Sequence, residues 1–321
     1  MKIATLTLNP ALDRTMYFGD NIKIGALNRA KTDRESVTTI GGKGTNVSCM
    51  FKILGIESTA YGYIGGTNGD AFAQGLRDYN ITTDFTRTLC DTRMNIKIIT
   101  DSGIATEFNE AGGVISESEK TDLLKKIENE MYNADLFFMG GSVPLGIEKS
   151  IYKDIINLSR NKNTRFIIDC DGEALKYCMN NEKKPFIIKP NQFELEQYCG
   201  KNFNLDGDFD NALKQVKEES QKIYNDTGVI VLCTLGEYGG LYCGEEGIFY
   251  RKSPKVKVRG FSGAGDTFLT AFCSVYFNLY DYGDNRAESA LDFAIAASSA
   301  KVTKRGTEFP TVEEIISAEI L

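Results

Sequence analysis

The residues best suited to chemistry stand together at Gly263-Ala264-Gly265-Asp266. Glycines on either side of an alanine let the chain turn sharply and aim free backbone N–H groups at an anion. A carboxylate one step further on repels that anion unless it takes a proton from something, so the tetrapeptide reads as a phosphate cradle with a base attached. Downstream, Phe268, Leu269, Phe272, Val275 and Tyr276 recur at helical spacing, which predicts a helix over 266–280. Upstream, Lys255-Val256-Lys257-Val258-Arg259 alternates polar and apolar side chains, the period of a strand. The chain has no histidine, which removes His-based general bases, triads and metal sites. Any proton acceptor is therefore a carboxylate, Lys, Tyr or Cys.

Further groups of the same chemical kind lie along the chain. Gly41-Gly42-Lys43-Gly44-Thr45-Asn46 allows close backbone approach to a ligand, with Lys43 to neutralise an anion and Asn46 to meet hydroxyls; a flexible turn with a capping residue has the same composition. In Thr92-Arg93-Met94-Asn95-Ile96-Lys97, strand alternation puts Arg93, Asn95 and Lys97 on one face, fit for a phosphate or polyol, or for solvent. Asp13, after Asn9-Pro10-Ala11-Leu12, suits sugar hydroxyls or a turn. Lys189-Pro190-Asn191-Gln192-Phe193-Glu194 follows an apolar strand and opens a helix. Asn191 and Glu194 there share a helical face that would suit a hydrated Mg²⁺ or, equally, a capping box. Thr234-Leu235-Gly236-Glu237-Tyr238-Gly239-Gly240 closes a strand with a glycine turn, at the end of the strand where open α/β sheets bind ligands.

The elements that must position these groups alternate in type. Strand-like runs fall at 3–8, 59–64, 135–139, 165–169, 185–189 and 229–234. Helix-like runs fall at 43–54, 70–79, 117–132, 147–161, 191–199, 208–225, 266–280 and 286–301. This spacing predicts βαβ units and a mainly parallel sheet covered on both faces. Residues 13–39 and 90–110 break the rhythm and read as an antiparallel accessory sheet, such as a lid. A length of 321 residues with 42% hydrophobic and 25% charged residues suits a globular chain, and no linker marks a second domain. The net charge of −7 argues against a nucleic-acid-binding face, though not against a small anion in a locally positive site. The eight scattered cysteines lack a C-x-x-C pair, the N-terminus opens as a strand, and no apolar run is long enough to span a membrane. Together these predict a soluble cytoplasmic protein with reduced thiols.

In order and spacing, these motifs resemble the PfkB (ribokinase-like) family of carbohydrate kinases over nearly the whole chain, 1–321 being read as one kinase domain. The opening Thr7-Leu8-Asn9-Pro10-Ala11-Leu12-Asp13 resembles the branch holding 1-phosphofructokinase and tagatose-6-phosphate kinase. Arg93 to Lys97 with Glu107-Phe108-Asn109 resembles the former more closely, and Asp169-Cys170-Asp171-Gly172-Glu173-Ala174-Leu175 resembles a further stretch of that branch. The three residues directly before the glycine turn, Gly260, Phe261 and Ser262, depart from the family pattern of an acid or amide followed by Thr or Ser.

The resemblance implies a three-layer α/β sandwich with a small β-lid that forms a homodimer contact in many members. It implies Asp266 as catalytic base, with Gly263, Ala264 and Gly265 as the anion hole. Asp13, Gly42 and Asn46 match sugar-hydroxyl contacts, and Lys43 with Arg93 the pocket for a phosphate already on the substrate. Lys97 joins that pocket by charge and facing alone. Asn191 and Glu194 match the element that organises Mg²⁺, Lys189 lies near the ATP phosphates, and Thr234 and Gly236 belong to a nucleotide loop. The expected reaction is ATP-dependent phosphorylation of fructose 1-phosphate at O6, with tagatose 6-phosphate or fructose 6-phosphate as alternative acceptors. A non-catalytic sugar-phosphate or nucleotide binder is the reading from another class, because fold does not fix function. A dinucleotide-dependent oxidoreductase is weaker, since no G-x-G-x-x-G follows the first strand.

Overall fold

Strands that are apolar on both faces need helices on both faces, and that requirement organises this chain. The computed structural model describes residues 1–131, 133–159, 163–284, 286–306 and 308–319. Its strands are β1 (Ile3–Thr7), β2 (Ala11–Phe18), β3 (Val37–Gly41), β4 (Thr59–Gly65), β5 (Thr82–Thr88), β6 (Arg93–Thr100), β7 (Ala105–Asn109), β8 (Leu136–Gly140), β9 (Arg165–Asp169), β10 (Ile187–Ile188), β11 (Ile230–Thr234), β12 (Gly240–Gly244) and β13 (Gly247–Arg251). Its helices are α1 (Lys43–Ile53), α2 (Gly66–Asp78), α3 (Glu117–Met131), α4 (Ile151–Leu158), α5 (Gly172–Met179), α6 (Gln192–Cys199), α7 (Phe209–Thr227), α8 (Ala264–Tyr276), α9 (Ala287–Val302) and α10 (Val312–Glu319).

The main sheet runs β13-β12-β11-β10-β9-β8-β1-β4-β5 and is parallel from β5 to β11. Alternate residues feed opposite cores. Ile3, Leu136, Phe138, Ile167 and Leu232 cluster with α1, α2, α8, α9 and α10, whereas Ala4, Phe137, Met139, Ile168 and Val231 cluster with α3, α4, α5 and α7. This is the layered α/β arrangement expected from the alternation of strands and helices.

The accessory segments pair as a second sheet, β3-β2-β6-β7. Its outer pairings are antiparallel, but β2 and β6 run parallel, so the sheet is mixed rather than wholly antiparallel. The reason is connectivity: β3, α1, β4, α2 and β5 intervene between β2 and β6, and a crossover of that length lets β6 run parallel to β2. Register places Thr39, Asp13, Asn95 and Asn109 in one row and Val37, Thr15, Lys97 and Glu107 in another on the same face; Thr38, Arg14, Ile96 and Phe108 occupy the opposite face.

Residues 255–259 form no strand, correcting the expectation from their alternation. They run beside the end of α9, where the Arg259 N–H donates to the Val302 carbonyl at 2.7 Å, and among the described residues no strand pairs with them. α8 begins at Ala264, with the glycine turn, rather than at 266. Residue 132 of the expected helix 117–132, and 160 and 161 of 147–161, lie outside the described residues.

Candidate active site

Gly263 caps α8 with φ of 75°, a left-handed conformation that glycine adopts without steric cost. The N–H groups of Gly265 and Asp266 belong to the first helical turn, where the backbone offers no intrahelical acceptor and the helix end is positive. Gly265 also admits a cation: a Cβ there would lie 3.4 Å from Lys189 Nζ. Asp266 is buried (6% exposed), and its Oδ2 accepts a hydrogen bond from Asn46 Nδ2 at 2.7 Å. Burial raises its pKa to about 6, with repulsion from Asp169 adding to the rise and Lys43, Asn46 and Lys189 opposing it. A carboxylate poised there is matched to taking a proton near neutral pH.

Behind the turn lies a chain of charges. Lys43 opens α1 directly after Gly42, whose φ of 126° excludes other residues. Its Nζ donates to Asp169 Oδ1 at 2.6 Å and stands 3.9 Å from Glu194 Oε1. Lys189, 4% exposed beyond the end of β10, pairs with Asp169 Oδ2 at 3.2 Å. Burial works against ionised Asp169, yet Lys189 and Lys43 together hold its pKa below the usual carboxylate range. Burial likewise opposes the Lys43 charge, and Asp169, Glu194 and Asp266 overcome it. Asp169 ends β9 on the carboxyl edge of the sheet and joins the site although it is not among the expected site residues; an acid closing the apolar run Phe166-Ile167-Ile168 is the signal in the sequence that marks it.

Asn191 and Glu194 form a complete capping box. Asn191 Oδ1 accepts from the Glu194 N–H at 2.9 Å, and Glu194 Oε2 accepts from the Asn191 N–H at 2.8 Å. Glu194 Oε1 takes no part in that box. Among the described residues there is no group of three or more Asp, Glu, Cys or His that would hold a metal ion. A cation carried mainly by nucleotide oxygens and water, with one carboxylate at its margin, fits this donor set. Asn191, Thr234, Gly236, Ala264 and Gly265 line a cleft of about 940 Å³, walled further by Phe193, Phe261 and Ser299. That size accommodates a nucleotide.

The second sheet closes the other side. Asn95 Nδ2 donates to Asp13 Oδ1 at 2.8 Å, and burial raises the Asp13 pKa against the pull of Asn95, Arg93 and Lys97. Lys97 Nζ reaches Ser262 Oγ at 2.6 Å and Glu107 Oε1 at 2.6 Å, tying β6 to the residue just before the glycine turn. Ser262, atypical of the family pattern, thus has a partner in this chain. Arg93 donates to the carbonyls of Asn9 at 3.2 Å and Glu110 at 2.9 Å. Lys43 and Arg93 are therefore held by different partners, Lys43 on the carboxylate side and Arg93 at the root of the second sheet. The buried acceptors Asn46 Oδ1 and Asn95 Oδ1 have no hydrogen-bond partner among the described residues. Orphan acceptors of this kind suit the hydroxyl donors of a polyol.

A helix N-terminus at an open α/β edge, a poised carboxylate and a polar sheet opposite make a site suited to phosphoryl transfer onto a hydroxyl. Comparison with known proteins narrows the class. The model described as pfkB family carbohydrate kinase matches residues 7–314. The 1-phosphofructokinase of Borreliella burgdorferi is 33% identical over 98% of this chain and 96% of its own. That of Bacillus subtilis is 31% identical over 84% of each. Phosphofructokinase-2 from Escherichia coli, in complex with substrates and products, is similar in structure with a TM-score of 0.88 at 25% identity, covering 100% of this chain and 99% of that one. The chain belongs to the pfkB family of carbohydrate kinases, and is a phosphotransferase acting on a sugar hydroxyl.

Proposed function

We propose that the chain transfers the γ-phosphoryl group of ATP to O6 of fructose 1-phosphate, giving fructose 1,6-bisphosphate and ADP. The observation that carries this reading is Asp266: a buried carboxylate with a pKa of about 6, in the first turn of α8, between a nucleotide-sized cleft and the polar face of the second sheet. Relatives named 1-phosphofructokinase support the acceptor.

In this reading Asp266 takes the O6 proton as that oxygen bonds to the γ-phosphorus and the bridging β–γ oxygen departs with ADP. Asn46 holds the carboxylate and, with Asp13, Asn95 and the Gly42 backbone, orients the sugar. The N–H groups of Gly263 and Gly265 meet the charge on the transferring group, while that of Ala264 between them donates to the Phe261 carbonyl at 3.2 Å and holds the turn; preorganised donors contribute most at such a place. Lys189 lies by the ATP phosphates, Thr234 and Gly236 line the nucleotide side, and Arg93, Lys43 and Lys97 supply positive charge for the substrate's own phosphate. Mg²⁺, with Asn191 and Glu194 beside it through water, would neutralise ATP oxygens. We read 1–321 as one cytoplasmic kinase unit, with the second sheet as a lid that excludes water. The exposed Ile96 and Phe108 on its far face support a homodimer through that sheet.

The test measures ADP release with MgATP against fructose 1-phosphate, tagatose 6-phosphate and fructose 6-phosphate at equal concentration. Highest kcat/KM on fructose 1-phosphate is expected. Preference for either 6-phosphate overturns the acceptor, and that outcome has its own support in the likeness to phosphofructokinase-2.

A further inference from the structure

α9 carries a lysine where its pattern asks for an apolar residue. Lys301 falls in helical register with Leu291, Ala294 and Ala297, each 0% exposed, and is itself 0% exposed. Its side chain ends beneath the glycine turn: a Cβ built on Gly263 would lie 3.3 Å from Lys301 Cε. Nζ donates to the Gly306 carbonyl at 3.1 Å and stands 5.6 Å from the centre of the Phe309 ring. The end of α9 also grips the approach to the turn, since the N–H groups of Arg259 and Gly260 donate to the Val302 carbonyl at 2.7 and 3.2 Å. Packing alone does not call for a charge here. Methionine has similar length, and a buried ammonium is costly to desolvate.

We propose that the Lys301 ammonium is a positioning charge for phosphoryl transfer, fixing the Gly263–Asp266 turn from behind and strengthening the positive potential at its N–H groups. The proposal rests on the reading of that turn as the holder of the transferring group. Lys301 touches no reacting atom and acts through the turn. Burial lowers its pKa to about 8; Asp266 of α8 and Glu308 beyond α9 favour the charge, while Lys97 of β6 and Lys304 oppose it. The sign follows directly. Lys301 is protonated at neutral pH and loses its charge as pH rises through about 8, so turnover falls on the alkaline side.

The test compares Lys301→Met and Lys301→Arg in the intact chain. Lys301→Met should lower kcat by about tenfold to a hundredfold, leave the sugar KM within about twofold of the parent, keep or raise thermal stability, and lose the alkaline limb. Lys301→Arg, whose charge persists at all accessible pH, should retain most turnover and move the limb upward. Exogenous ammonium should partly restore Lys301→Ala. Calorimetry supplies a readout besides activity: Lys301→Met should weaken ATP severalfold and adenosine not at all. Parental kcat and pH profile in Lys301→Met overturns the proposal, as does an unmoved limb in Lys301→Arg, which decides the matter if Lys301→Met fails to fold. Absence of turnover on every sugar would instead strike the acceptor reading, and the ATP-to-adenosine comparison would still judge Lys301.

Discussion

Replacing Asp266 with Asn should produce an enzyme that is nearly inactive and more stable than its parent. The amide keeps an oxygen where Asn46 Nδ2 now donates at 2.7 Å, so the local geometry survives. What disappears is an ionised carboxylate buried beside Asp169. A pKa raised from 3.8 to about 6 corresponds to roughly 3 kcal/mol against the ionised native form. The unfolded chain ionises near 3.8 and the native site only near 6, so this cost is absent below 3.8, grows between those values and is complete above 6. Asparagine never ionises, and the variant should gain up to about 3 kcal/mol at pH 7.5 and about half of that at pH 5. Over 321 residues this is roughly 4 °C in Tm.

Loss of a positioned base should lower kcat by about 10²–10⁴-fold, with the sugar KM changed little because Asn46, Asp13 and Asn95 remain. Coupled ADP release and thermal melts at pH 5 and 7.5 measure both quantities. A variant with kcat within tenfold of the parent refutes the base. A variant less stable than the parent at pH 7.5 refutes the electrostatic reasoning, because Asp266 would then be a net structural asset.

Other outcomes follow from the same charges. The kcat/KM of the parent enzyme should rise with pH through about 6, as Asp266 loses its proton, and a flat profile between pH 5 and 7 would sink this. Asp169→Asn leaves Lys43 and Lys189 without their shared carboxylate, and should cost about 3–5 kcal/mol in denaturant unfolding; a loss below 1 kcal/mol contradicts it. Glu194→Gln preserves an acceptor for the Asn191 N–H and should raise the Mg²⁺ needed for half-maximal rate at unchanged Tm, whereas Asn191→Ala should also lose about 1 kcal/mol with its cap. Ser262→Ala removes the hydroxyl that meets Lys97 and should raise the sugar KM more than it lowers kcat, a ratio that steady-state kinetics reads directly.

The sequence revealed most about this chain where chemistry and local pattern coincide. Gly263 to Asp266 could be read as a helix-terminal anion site because glycine freedom, helical periodicity and an acid fall within a few residues. Arg93, Asn95 and Lys97 could be placed on one face because strand alternation is local. The parallel β2–β6 pairing was not legible, since it depends on the path of the intervening chain. The strand expected at 255–259 failed for a related reason: alternation records which side chains face solvent, and a ladder also needs an edge to join. Asn191 and Glu194 satisfied both of their readings locally, and the structure shows the capping box.

Lys301 illustrates the remaining gap between pattern and function. Its position among alanines gives only a polar residue on an apolar helix face, an anomaly without a meaning until the fold brings the C-terminal end of α9 under the turn that begins α8. The site then contains two opposed titrations on one short turn: a carboxylate in front of it whose pKa burial raises to about 6, and an ammonium behind it whose pKa burial lowers to about 8. Burial discourages both charges, and each favours the other's charged form, so between those values the base is free of its proton while the turn keeps its cation. A histidine-free site thereby obtains a working range around neutrality from one Asp and one Lys. Its width depends on their mutual attraction, so Asp266→Asn should also move the Lys301 pKa downward. NMR of ¹⁵N-labelled lysine reads this shift without catalysis, and an unmoved Lys301 resonance would show that the two charges are not coupled.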